Sequence, residues 1–463
     1  MTAPRHVLAA ACVLGTGCGS ESAPAFPQPN ALVDLNDDPA IVEVRLIAEP
    51  GTLELLPGKS ADVWTFRDGS VTDSPASIPG PMLEATLGDR VVVHFENRLP
   101  VETTIHWHGL RVPNASDGTP IAQMIVAPGG TYDYTFTAVD AGLFWYHPHV
   151  AGDVQIERGL YAPIRIRGGV EPDVASDRVI VLDDVKLEST GQLSTTTDNL
   201  DVMLGRQGNV LLVNGKTLPT LDTTTGSRER WRIVNVANGR YFNLDLPGQR
   251  FLVIGWDGGM LTEPYEAETL LVAPGERYDV LVEPSRSTSL RNVYYDRGHE
   301  IPDVGPVDLV TIAVDGDGPS PAPLPTVWGD VPVIPIDTNT PRRRFVLDEN
   351  EVGLTEPTFS INGEMYPSST PTIGTVGGIA IWEIENATEM DHPFHLHGMS
   401  FQVLDDAGLV VPRRGWKDTV NVPRKKTVRF AVRYETAGRW MYHCHILEHA
   451  ERGMMGELDL RAP

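Results

Sequence analysis

The sequence predicts an all-β protein built from three Greek-key β-sandwich domains. Three observations lead there. Glycine (44) and proline (38) are abundant and spread without a period over 463 residues, which favours turn-rich strands over helices or collagen. Short β-branched and aromatic runs, such as Val91-Val92-Val93 and Phe144-Trp145-Tyr146, are bounded by Gly, Pro, Asn and Asp. One pattern also recurs: TYDYTFTAVDAGLFWYHPH (131–149) aligns with TVRFAVRYETAGRWMYHCH (427–445), and HWHG (106–109) parallels HLHG (395–398). A middle copy keeps the frame, since ERWRIVN (229–235) echoes DRVVVHFEN (89–97) and APGERYDV (273–280) echoes APGGTYDY (127–134). It holds only His299, so it reads as a copy without metal ligands.

Taken in order, residues 1–18 read as an export signal: Arg5, a small apolar run from Val7 to Gly17, then Cys18. Leu14-Gly15-Thr16-Gly17-Cys18 resembles a lipobox with Leu14 one place too far upstream, so both an ordinary signal peptide and a lipoprotein signal ending at Cys18 stay open. Export places the mature protein in the periplasm or cell envelope. Residues 19–40, rich in Pro, Asn, Asp and Ala, are expected to be a disordered tether. The first domain spans 41–168 and the second 177–314. A Pro-, Gly- and Asp-rich connector covers 315–343, and the third domain is 344–463. Helices are expected to be short at most.

Asp and Glu (62) outnumber Lys and Arg (37), for a formal charge of −25. Such a surface repels phosphate backbones, which excludes a nucleic-acid partner. No apolar run reaches the length of a transmembrane helix. No oligomerisation element stands out, so a monomer is expected. Of three cysteines, Cys12 and Cys18 lie in the export signal, leaving Cys444 as the one thiol of the mature body. With no intrachain bridge possible, it is either a reactive or metal-bound thiolate or a buried inert cysteine.

Ten of the 13 histidines fall in four short clusters, and four His-x-His pairs occur, far more than this His content gives by chance. The pairs are His106/His108, His147/His149, His395/His397 and His443/His445. Their flanks read as strands, where residues i and i+2 face one side, so each pair presents two imidazoles together. Four pairs can converge on one metal cluster, and imidazole suits Cu, Zn, Fe and Ni. Cys444, between His443 and His445, points the opposite way and must serve a second site. His392, Cys444, His449 and the more distant Met454 match a trigonal His₂Cys blue-copper site with a weak axial Met. Structural zinc normally takes more cysteines than the one in the mature body. The His443-Cys444-His445 run then joins a one-electron copper to a multi-metal cluster that collects electrons for O₂.

HWHG (106–109), WYHPH (145–149), HPFHLHG (392–398) and HCHILEHAERGMM (443–455) resemble the four copper signatures of three-domain multicopper oxidases, the laccase-like and cuprous-oxidase-like group. The resemblance covers nearly the whole mature chain and implies cupredoxin-like domains and four copper ions. It implies type 1 copper at His392, Cys444, His449 and axial Met454, and type 2 copper at His106 and His395. It implies a type 3 pair at His108, His147, His149, His397, His443 and His445. Cys444 would carry electrons inward, O₂ would be the acceptor, and phenols or aromatic amines the donors. A metallo-oxidase of Cu(I), Fe(II) or Mn(II), or an exported copper-binding protein, is the alternative. A Met ligand implies a lower redox potential than a non-coordinating residue would. Asp117 matches an acidic residue near the type 2 site in relatives, though a turn Asp before Gly118 reads equally well. Where many bacterial relatives carry Glu after the second type 1 histidine, this chain has Ala450, then Glu451. Asp418 reads either as a carboxylate behind the ligands or as a surface strand residue. Glu389 and Asp391, just before His392, are candidates for attracting cationic donors.

Overall fold

The computed structural model describes residues 26–463 apart from 195, 300–304 and 351–356. The signal peptide and Cys18 lie outside the described residues. Six sheets pair into three sandwiches. In the first, Ile41–Leu56, Lys59–Asp68, Arg90–Asn97 and Thr131–Thr137 form one layer. Leu83–Thr86, His106–His108, Gly142–His147 and Ala162–Arg167 form the other. The second sandwich uses strands from Ser176–Val185 to Val307–Asp317, and the third strands from Arg342–Asn350 to Met455–Arg461. The three α-helices among the described residues are one or two turns long, Gly152–Glu157, Asn199–Leu204 and Leu447–Glu451, and none could cross a membrane.

The sequence repeat has a structural cause. Arg90–Asn97, Glu229–Asn235 and Ile379–Asn386 each pair in parallel with the strand that opens their sandwich. Each ends in a fully buried asparagine. Asn97 donates to the carbonyls of Val101 and Val126, Asn235 to those of Arg240 and Val272, and Asn386 to those of Met390 and Val422. All three accept from the N–H two residues on. One side chain thus satisfies three backbone groups at each strand-to-loop corner, where no ladder partner exists.

The cores are rich in aromatic side chains. Phe66, Phe95, Trp107, Tyr134 and Tyr146 fill the first sandwich, and Trp382, Phe394, Phe430, Trp440 and Tyr442 the third. Strand pairing then sets the histidines. His106 lies opposite His147, and His395 opposite His443.

Two expectations about connecting segments need correction. Residues 26–40 are not a free tether. Leu32 N–H donates to Met82 and Val33 N–H to Asp68, while Gln28 pairs with Val179 of the second sandwich. Asp34, Asn36 and Asp38 each accept from the N–H two residues on, so the polar run is a chain of side-chain-closed turns. The stretch before Arg342 is no simple surface connector, because Val331 and Ile334 are buried and Gln402 clamps the backbone of Pro332 and Ile334.

Candidate metal centres

The strand Gly438–Cys444 runs into the third sandwich with its side chains alternating, as a period of two requires. On one side, Cys444 Sγ lies 3.5 Å from His392 Nδ1 and 3.8 Å from His449 Nδ1, and these two nitrogens are 3.2 Å apart. All three residues are fully buried. His449 Nε2 donates to the Met203 carbonyl at 3.2 Å, and His392 Nε2 donates to the Thr388 hydroxyl at 2.8 Å. Those bonds fix each tautomer and turn the Nδ1 lone pairs toward the thiol. Burial holds His392 down to about 3, lowers His449 well below the usual imidazole value, and pushes the Cys444 thiol well up. Two neutral imidazoles and a thiol converging on one point are the ligand set of a thiolate-binding metal site. Met454 is buried in the same core, its carbonyl accepting the Cys444 N–H at 3.0 Å.

On the other side, eight imidazoles gather between the first and third sandwiches. His149, His397 and His443 bring ligand atoms together, with His397 Nε2 3.0 Å and His149 Nε2 3.4 Å from His443 Nε2. His106, His395 and His397 form a second group, and His106, His108 and His147 a third. His445 packs 4.9 Å from His108 and 5.8 Å from His147, ring centre to ring centre.

The hydrogen bonds support a metal here. Nδ1 of His106, His147, His395 and His443 donates to the carbonyls of Asp117, Pro148, Asp418 and Cys444. Nε2 of His106, His147 and His395, Nδ1 of His108 and both nitrogens of His445 are buried without a partner. Orphaned buried lone pairs aimed into one space cost stability unless a cation takes them. Burial lowers His106, His108, His443 and His445 well below the usual imidazole value and His147 and His149 to about 3, so these six are neutral donors.

That sets a pH dependence. The folded values of His147, His149 and His392 lie below the usual imidazole value, so the unfolded chain binds the extra protons. The stability these histidines contribute is complete above about pH 6.5 and falls between 6.5 and 3, by about 1.4 kcal/mol per pH unit for each histidine once the unfolded chain is protonated. Melts of metal-free protein from pH 7.5 to 5 are expected to show a falling Tm, and a flat profile would contradict the neutral assignment.

Asp117 is fully buried, its carboxylate 3.1 Å from His397 Nδ1 and accepting from the Thr119 hydroxyl at 3.0 Å. Burial pushes its carboxyl up to about 7. Asp418 is no surface residue. It is 1% exposed, with Oδ1 3.2 Å from His108 Nε2 and 3.4 Å from His395 Nδ1. Against the cost of burial, the Arg277 guanidinium at 2.5 and 2.7 Å holds this carboxyl well below its ordinary range. Arg277 comes from the second sandwich, so the copy without metal ligands still reaches the cluster. Sequence reasoning missed it; the signal was Arg277 in APGERYDV where the first copy has Thr131. Gly109, with φ +87°, gives this ion pair room, since a Cβ there would strike Arg277 and Asp418.

Near His392 the outcome is mixed. Asp391 is 2% exposed and its carboxylate is used by Tyr295, Asn421 and the Arg424 N–H. Glu389 is exposed and paired with Lys425 at 2.7 Å. Neither is a free carboxylate for a cationic donor. Beyond Ala450, Glu451 turns to the Gly152 N–H. The buried acid of this helix is Glu448, held by Asn238 and the Arg206 N–H and pushed by burial to about 7.

Multicopper oxidase family models match residues 61–170, 182–298 and 338–462, one for each sandwich. The chain belongs to the multicopper oxidase family. It is a copper-dependent oxidoreductase that uses O₂, and its histidine groups fit copper. It is 30% identical to multicopper oxidase MmcO of Mycobacterium tuberculosis over 83% of this chain and 82% of that protein. It is 26% identical to the laccase of Bacillus subtilis over 83% and 89%. A multicopper oxidase of Campylobacter jejuni, described as a metallo-oxidase, superposes with a TM-score of 0.82 at 26% identity, covering 96% of this chain and 98% of that one. A laccase-like oxidase of Ochrobactrum sp., described as acting on lignin model compounds and lignosulfonate, gives 0.80 at 28%, covering 94% and 100%. These neighbours confirm the cupredoxin-like, all-β fold.

Proposed function

We propose that this multicopper oxidase is laccase-like: it takes single electrons from phenols or aromatic amines and passes four of them to O₂, forming water. The observation that carries the reading is the peptide His443-Cys444-His445. Its thiol faces the His392 and His449 lone pairs, and its two imidazoles face the eight-histidine group. A storage protein has no use for a covalent path between two sites.

In this reading four copper ions are held. His392, Cys444, His449 and Met454 would hold the type 1 ion, and His106 and His395 the type 2 ion. His108, His147, His149, His397, His443 and His445 bind the type 3 pair. Bound copper supplies one-electron redox chemistry at the first site and a four-electron store for O₂ at the others. The chain does the rest. Backbone carbonyls hold the imidazole tautomers, Arg277 and Asp418 fix His395 and His108, and aromatic cores exclude water. Asp117, bonded to His397 and Thr119, handles protons where O₂ is reduced. Asp117→Asn is therefore expected to lower turnover about 10²-fold or more while type 1 reduction by the donor keeps its rate in stopped flow. Equal losses in both would contradict a proton role.

A metal-ion donor is the second reading. Glu349 beside His299 has a side chain 7% exposed and an Oε2 without a partner among the described residues, and its charge acts on His392. O₂ uptake with a phenol, Cu(I) and Fe(II) ranks the donors. Fastest turnover with the phenol supports the laccase-like reading, and fastest turnover with a metal ion replaces it. Export to the cell envelope, with or without a lipid on Cys18, and a monomeric state belong to the same proposal.

A further inference from the structure

On the second sandwich lies a cavity of about 310 Å³, lined among others by Arg240, Tyr241, Asn292, Tyr295 and Arg297. That volume is at the small end of ligand sites. Its charge is unusual. Arg240 is spent on Asp184 and the Gly208 carbonyl. Arg297 is 2% exposed, and among the described residues no carboxylate pairs with it. One nitrogen, Nη2, donates to the Leu204 carbonyl, and Nη1 has no partner. The guanidinium lies 5.5 Å over the Tyr241 ring, which in turn stacks on Tyr295 at 5.9 Å.

A buried guanidinium with a free N–H is costly unless something neutralises it. A ring quadrupole meets part of that cost, about 2 kcal/mol at best when desolvated. The nearby Asp391 carboxylate does not serve, because Tyr295, Asn421 and the Arg424 N–H already occupy it. In a chain of charge −25, a buried cation that lines a cavity and pairs with no carboxylate among the described residues is a built feature. The missing counter-charge has the shape of a planar oxyanion, which matches guanidinium in a fork, and the two stacked tyrosines offer a flat apolar wall to a ring.

We propose that this cavity binds a small aromatic carboxylate, with Arg297 anchoring the carboxylate and the Tyr241–Tyr295 stack packing the ring. The site lies close to the candidate type 1 ligands. The Arg297 carbonyl accepts the Asp391 N–H at 2.8 Å, next to His392. Leu204, whose carbonyl Arg297 holds, follows Met203, whose carbonyl holds His449. A carboxylated phenol bound here would stand at the point of electron entry; that use rests on the laccase-like reading, whereas binding does not.

Binding is therefore tested first on copper-free protein, by calorimetric titration with benzoate at low ionic strength. The expected result is one saturable site, weakened at least tenfold in Arg297→Gln and partly restored in Arg297→Lys. Leu211→Trp, which fills the cavity from its strand and keeps the arginine, is expected to abolish it and serves if Arg297→Gln does not fold. No saturable binding, or equal binding in the variants, overturns the proposal. Acetate and chloride are titrated beside benzoate; equal affinity for all three would remove the aromatic wall from the account and overturn the stated class. On copper-loaded enzyme, Arg297→Gln is expected to raise KM about tenfold for 4-hydroxybenzoate and leave that for its methyl ester unchanged. Equal changes for both would overturn the placement at electron entry even where benzoate binds, and no oxidation of either would count against the laccase-like reading alone.

Discussion

Cys444→Ser is expected to yield a folded, colourless protein that oxidises no donor. The thiol is the one thiolate donor facing His392 and His449 among the described residues, so the intense thiolate-to-copper absorption disappears with it. Electron entry ends as well, because the path inward starts at this side chain. The histidine group on the other face keeps its ligands, so about three quarters of the copper is expected to remain on the four-ion reading, measured by elemental analysis with electron paramagnetic resonance. The backbone loses little, since the thiol accepts only a long 3.4 Å contact from the Ile446 N–H. Retained blue colour, or loss of all copper, would contradict the separation of the two sites.

The second large effect is expected at Arg277→Met. Arg277 is 1% exposed and binds both oxygens of Asp418, the Asp257 carbonyl and the Leu143 carbonyl of the first sandwich. Lys417 and Glu276 extend the buried charge network, with Lys417 Nζ 3.0 Å from Glu276 and 3.3 Å from Asp257. Removing one member strands Asp418 as an uncompensated buried charge, at a cost of about 3–5 kcal/mol. The damage is also local. Asp418 rests on His395 and His108, so the variant is expected to lose copper at those ligands while the blue absorption survives. Thermal denaturation gives the first effect and resonance spectra the second. Arg277→Lys is expected to recover part of each, since an ammonium restores charge without the fork. A variant with normal stability and full copper would remove the second sandwich from the account of the cluster.

What could be read along the chain was what a period of two controls. The His-x-His pairs face together because they lie on strands, and Cys444 faces away for the same reason. The repeat was legible because Asn97, Asn235 and Asn386 close the same corner three times. What was not legible lies between sandwiches. Arg277 and Asp418 are 141 residues apart, and His449 and Met203 are 246 apart, with nothing local to mark either pair. Composition also misled. The Asp and Asn residues before Ala40 look like solvated linker, yet they close turns on their own backbone. Asp391 looked like an exposed acid beside His392, yet three donors bury it.

The most direct test of the central claim is a stoichiometry. Copper-loaded protein is mixed with a phenolic donor in an oxygen electrode, with hydrogen peroxide assayed in the same sample and the visible spectrum followed. The account predicts a blue protein that consumes one O₂ for every four donor electrons and releases no peroxide. A blue protein that leaves O₂ untouched, or one that turns it into peroxide, would mean that the His392–Cys444–His449 site and the eight-histidine group do not work as one machine.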